Sequence, residues 1–186
     1  MDALSTVGID IASSVQPGMM HPLCRVALHP EEKADEAKKV TRMFVEAGAD
    51  VNATDEKGNT PLHTAVVCSA TVTKVLIQSG ADVDAVSADG WTPLLRAIHS
   101  DEREAAKALI HAGADVNTVS RDGPGQKSPL HRVTWHDAAD IAKALIRAGA
   151  QVNKTDHHDV TPLHDATVQD AAEVAKVLIR EGADIN

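Results

Sequence analysis

Thr60-Pro61-Leu62-His63 opens a stretch that closes on Gly80-Ala81-Asp82-Val83-Asp84, and this pair of strings, repeated along the chain, decides the fold. The opening string returns as Thr92-Pro93-Leu94-Leu95, Ser128-Pro129-Leu130-His131 and Thr161-Pro162-Leu163-His164, with a looser copy at His21-Pro22-Leu23-Cys24. The closing string also occurs as Gly48-Ala49-Asp50-Val51-Asn52 and at 113–117, 149–153 and 182–186, its glycines separated by 32, 33, 36 and 33 residues. Self-similarity at a fixed period near that length marks a chain of stacked units, each too small to bury its own apolar face.

Each string has a local physical meaning. A hydroxyl residue followed by proline starts a helix: the hydroxyl accepts from an orphan backbone N–H, and proline at the first helical position gives up no hydrogen bond. The glycine stops a helix by taking the left-handed conformation after the last turn. Between start and stop there is room for two short antiparallel helices. The second carries Val75-Leu76-Ile77, Ala108-Leu109-Ile110, Ala144-Leu145-Ile146 or Val177-Leu178-Ile179, each preceded by a lysine. These Leu-Ile pairs are the expected core between units. Turns rich in Asp, Gly and Asn, such as Asp55-Glu56-Lys57-Gly58-Asn59, lead from each stop to the next start.

The period, the Thr-Pro-Leu-His start and the Gly-Ala-Asp-Val-Asn stop resemble the ankyrin-repeat family over residues 21–186. The resemblance implies an all-α repeat solenoid of about five repeats, stacked helix-turn-helix units with finger-like β-turn loops. Residues 1–20 read as a flexible or capping N-terminal segment, 21–53 as an atypical first repeat, and 54–186 as four repeats in one continuous domain. In the first repeat His29-Pro30-Glu31-Glu32 looks like the start of a lengthened second helix, with acids complementing the helix dipole. The finger Asp122-Gly123-Pro124-Gly125-Gln126-Lys127 is three residues longer than its counterparts and is expected to protrude. Asp159 stands where other fingers have Gly and is expected to alter its turn. The last helix, Val174 to Arg180, keeps the apolar pattern of an internal repeat rather than the polar face of a cap, so further repeats or self-association are expected there.

Composition narrows the function. Tyr is absent, Phe occurs once and Trp twice, so the core must be built from small aliphatic contacts. The net charge of -9, with basic residues scattered among acids, excludes a nucleic-acid surface and favours a basic partner. No apolar run approaches the roughly 18 residues needed to span a bilayer, and the N-terminus has no signal-peptide pattern, so a cytoplasmic location is expected. Cys24 and Cys68 read as reduced thiols.

By resemblance, ankyrin repeats bind through the finger tips and the exposed edge of the first helix. Carried over repeat by repeat, that surface comprises Glu56, Lys57, Asn59, Val67 and Cys68, then Ala88, Asp89, Trp91, His99 and Ser100. Lys127, Trp135 and His136 follow, and finally His157, His158, Val160, Val168 and Gln169. Both tryptophans fall on it, in adjacent repeats, which makes them the expected anchors of a protein–protein interface. The competing reading is that the indoles merely cover neighbouring apolar surface.

The expected module is non-catalytic, without cofactor or metal. His63, His131 and His164 belong to the helix start, where the resemblance implies a structural hydrogen bond. His157-His158-Asp159 lacks the spacing of a zinc site, and Gly123 to Lys127 lacks that of a phosphate loop. The Val-Asn pairs ending at Asn52, Asn117 and Asn153 look like sites hydroxylated in animal ankyrin repeats. The alternative from a different class is a metal-dependent or thiol-based activity in the His-rich fingers, or a targeting domain of a larger enzyme; Cys68 with His99 could mimic a nucleophile and base, but the sequence supplies no orienting third group or oxyanion site for them.

Overall fold

The computed structural model describes residues 34–120 and 126–185. The expected N-terminal segment, the helix start at His21-Pro22 and most of the long finger lie outside those residues. Nine α-helices are described: α1 Ala34–Glu46, α2 Pro61–Cys68, α3 Ala70–Gln78, α4 Pro93–His99, α5 Arg103–His111, α6 Pro129–Arg132, α7 Ala139–Arg147, α8 Pro162–Val168 and α9 Ala172–Arg180. A 3-10 turn, Val133–His136, continues α6. The first helices α2, α4, α6 and α8 pack on one another in order, and the second helices α1, α3, α5, α7 and α9 form a parallel row. The result is an all-α solenoid. Helix α1 has 13 residues against nine for each later second helix, and the helix start expected at His29-Pro30-Glu31-Glu32 lies outside the described residues.

The core runs between the rows. Leu62, Leu76, Leu109, Leu145 and Leu178 are fully buried, with alanines filling the close helix approaches. Thr92 and Thr161 cap their helices as expected, accepting from Leu95 and His164 N–H at 3.3 Å. Ser128 departs from this: its hydroxyl pairs with Nδ1 of His131 at 2.7 Å and caps nothing.

Neighbouring units are tied by two recurring side-chain bridges. Nε2 of His63 donates to the carbonyl of Trp91 at 3.0 Å, and Nε2 of His131 to that of Val160 at 2.9 Å. A carbonyl only accepts, so the proton sits on Nε2, and Nδ1 of His63 is left to accept from Thr60 N–H at 3.2 Å. The second bridge uses the residue that ends each closing string. Asn52 Oδ1 accepts from Asp82 N–H, Asp84 Oδ1 from Asp115 N–H, Asn117 Oδ1 from Gln151 N–H and Asn153 Oδ1 from Asp184 N–H, all at 2.8–3.0 Å. Asn117 and Asn153 also donate Nδ2–H to the carbonyls of Gly149 and Gly182.

The fingers are tight turns. Asp55 N–H donates to Asn59 O, Ser87 N–H to Trp91 O and Asp156 N–H to Val160 O, at 2.9–3.0 Å. Gly58 takes φ +70°, and a Cβ there would meet the Ala88 nitrogen at 3.0 Å, so both conformation and space require glycine. The expectation that Asp159 alters its turn is corrected: it adopts φ 59° and bonds back to Asp156 O at 3.2 Å, as the glycines do in their fingers. Aspartate is among the few residues that tolerate this left-handed region.

Candidate functional site

The two indoles meet around a buried cation. The Arg132 guanidinium lies 4.3 Å from the ring centroid of Trp91 and 5.1 Å from that of Trp135. His99 sits edge-on to both, 5.1 Å from Trp91 and 5.6 Å from Trp135. Arg132 is only 5% exposed, whereas Trp135 is 38% exposed. The cluster therefore presents aromatic surface outward and keeps its charge inside. Contacts of this kind add about 0.5–2 kcal/mol each beyond area burial, enough to hold the rings in place.

Each member is positioned by its own element. Trp91 ends a finger whose backbone is fixed from both sides: Ser87 Oγ accepts from Trp91 N–H at 3.2 Å, and His63 holds the Trp91 carbonyl. Trp135 rides on the 3-10 turn, where Thr134 Oγ1 donates to His131 O at 2.7 Å. His99 ends α4, and its carbonyl accepts from Nε2 of His136 at 3.0 Å, joining the third and fourth units. Arg132 reaches Ser120 Oγ at 2.5 Å at the base of the long finger. Leu95 takes the place of the bridging histidine at this junction, which is secured instead by Arg103 on Asp140 at 3.1 Å and Lys107 on Asp140 at 2.9 Å.

Other residues expected on the surface are placed unevenly. Lys57 and Asp89 are exposed; the Ser87 hydroxyl, 2.6 Å from the Asp89 carboxylate, holds that acid below its ordinary range. His136, His157 and His158 are exposed, the last two with ring centroids 3.7 Å apart. Val160 is half-buried and its carbonyl belongs to the His131 bridge. Two expectations are corrected. Asn59 is 8% exposed because its side chain donates to Asp55 Oδ2 at 3.0 Å, closing the finger from within. Lys127 turns inward, its ammonium on Asp165 and 3.8 Å from Asp156, whose side chains are 8% and 2% exposed. Burial pushes the Asp156 carboxyl up, but N–H donors from His158 and Val160 and the Lys127 charge more than offset this and hold it low.

Arg132 was missed by sequence reasoning. The available signal was a basic residue one helical position after His131, three before Trp135 and one repeat along from Trp91.

The geometry offers little to a catalytic reading. Among the described residues no group of three or more His, Cys, Asp or Glu is arranged to hold a metal. Burial, with help from Glu102, pushes the Cys68 thiol up, which disfavours the nucleophilic thiolate. The space lined by Ala97, Ile98, Val133 and Ile141 between the third and fourth units is about 10 Å³, room for a water at most, while a shallow groove of about 490 Å³ runs between α3 and α5, lined by Lys74, Gln78, Glu104, Lys107 and His111. No helix among the described residues is long and apolar enough to cross a membrane.

Comparison with curated proteins finds no match. The family model for ankyrin repeats matches residues 32–122 and 119–186, nearly the whole described chain. With its paired helices, finger turns and histidine and asparagine bridges, the chain belongs to the ankyrin-repeat family, whose members generally serve as protein–protein interaction modules and are typically non-catalytic.

Proposed function

We propose that this protein binds a partner protein through its finger tips and first helices, with the Trp91–His99–Trp135 cluster at the centre. The single observation that supports this is an exposed indole stacked over a buried guanidinium. A large aromatic surface held rigid before binding loses little conformational entropy on contact, which is the property of an interface hot spot. Asp89 on the neighbouring finger, with the chain's overall charge of -9, favours a partner with basic groups.

Trp135→Ala tests the reading. It removes the outermost ring while leaving Arg132 its contact with Trp91 and Ser120. Partner capture measured with equal amounts of folded wild-type and variant protein is expected to fall by a factor corresponding to about 2 kcal/mol, roughly thirtyfold. Undiminished capture with an intact helical circular dichroism spectrum would move the interface to another face.

A further inference from the structure

Basic residues scattered along the chain are gathered by stacking. More than half of the 18 Lys and Arg residues, but fewer than a quarter of the 27 Asp and Glu residues, lie on the second helices α1, α3, α5, α7 and α9. Each of these helices carries a cation six residues before its stop glycine: Arg42, Lys74, Lys107, Lys143 and Lys176. In the four later helices a fully buried leucine follows two residues on, at Leu76, Leu109, Leu145 and Leu178. Two residues turn an α-helix by about 200°, so a leucine that faces the core points the cation outward. Lys107 is half-buried and the other four are exposed. Packed helices stand about 8–10 Å apart, and the five cations therefore form a stripe across the row at that interval. The rest of the chain is more acidic than its net charge of -9, which makes this stripe the face where an acidic partner is attracted.

Acids interrupt the stripe unevenly. Glu104, Asp140 and Glu173 stand three residues before the cation in α5, α7 and α9, and Lys107 reaches Asp140 at 2.9 Å and Lys176 reaches Glu173 at 2.6 Å. The same position holds Lys39 in α1 and Thr71 in α3, and α3 has no acidic residue at all. Lys74 lies 4.0 Å from Glu104, a weak pair between exposed groups. The groove between α3 and α5 is lined by apolar Ile77, Ala108 and Ala112 as well as by Lys74 and Lys107, and a second groove of about 430 Å³ runs beside Lys38, Lys39 and Arg42 of α1.

We propose that this stripe docks an extended acidic segment of a partner protein, lying across the second helices with a carboxylate at every third residue. An extended chain advances about 3.3–3.6 Å per residue, so three residues match one step of about 10 Å from helix to helix. Carboxylates at that interval meet Arg42, Lys74 and Lys107 in turn, and the side chains between them cover Ile77 and Ala108. Glu104, Asp140 and Glu173 decide against other anions. A phosphate backbone or an anionic bilayer presents its charge continuously and would press on those acids, whereas a peptide places uncharged residues opposite them.

The test follows the fluorescence anisotropy of a short labelled peptide, with glutamate at every third position, as the 186-residue protein is added at low ionic strength. Saturable binding that weakens with added salt is expected. Arg42→Glu combined with Lys74→Glu changes two exposed positions outside the core and should weaken binding about tenfold with an unchanged helical circular dichroism spectrum. A peptide of the same composition with its glutamates in one run should bind about fivefold more weakly. Trp135→Ala should leave binding unchanged, which separates this face from the indole cluster. Absence of saturable binding, indifference to the double charge reversal, or equal binding of the spaced and clustered peptides would each overturn the proposal. So would tighter binding of a single-stranded oligonucleotide or of phosphatidylserine vesicles than of the spaced peptide.

Discussion

Acid should unfold this protein earlier than its carboxylates alone would dictate, because two of its histidines are buried as neutral hydrogen-bond bridges. His63 and His131 have no exposed surface. Burial pulls both below the ordinary imidazole value of 6.5. Protonation of Nδ1 would also cost the bond it accepts from Thr60 or Ser128. Below pH 6.5 the unfolded chain therefore binds protons that the folded chain refuses. Stability is fully present above the unfolded pKa and is lost as pH falls toward the folded values, with a limiting slope of about 1.4 kcal/mol per pH unit for each histidine. Together they give at most about 2.7 kcal/mol per unit, a large fraction of a typical domain's stability. Asp55, Asp89, Asp140 and Asp156, all held low, add losses of the same sign only below their ordinary 3.8. The interval from about pH 4.5 to 6.5 thus isolates the histidine contribution. Urea midpoints by far-ultraviolet circular dichroism at constant ionic strength would measure it. His131→Leu, which copies the fully buried Leu95 of the third unit, should flatten the slope by about half while lowering stability at neutral pH by about 1–2 kcal/mol through the lost bonds. A flat wild-type profile across that interval, or an unchanged slope in the His63→Leu, His131→Leu double variant, would refute the reasoning.

Other consequences concern the stack itself. Leu109→Ala removes a fully buried side chain between α3, α5 and α7 and should cost about 2–5 kcal/mol, with hydrogen-exchange protection falling in flanking units as well as its own. Lys127→Met leaves Asp156 and Asp165 facing each other without their cation; the lysine is 19% exposed, so the loss should be about 1–3 kcal/mol by chemical denaturation, below that for a fully buried pair. Asp159→Gly relieves a left-handed aspartate and should raise stability by up to about 1 kcal/mol, seen as a higher thermal midpoint.

The candidate site was legible only in part. Trp91 and Trp135 could be assigned to neighbouring units because the period fixes which positions align, and stacking brings aligned positions together. Arg132 was not, because its spacing from Trp135 and its alignment one repeat along from Trp91 gain meaning only once stacking shows which way the first helix turns its side chains. Lys127 and Asn59 misled for a related reason. A polar residue at a finger position is expected to face water unless a partner from its own turn or the next unit captures it, and here Asp55 captures Asn59 while Asp165 captures Lys127.

What the chain determined by itself is the unit and its repetition. Capping, helix breaking and the placement of apolar pairs are decided within a few residues, and a pattern written five times predicts stacking without knowledge of any contact. Only the tertiary structure decided which polar groups were consumed in joining units: the histidine and asparagine bridges, the inward lysine, and the arginine between two indoles. Those bonds link residues roughly thirty or more positions apart, and their geometry depends on how one unit sits upon the next, which no local preference encodes.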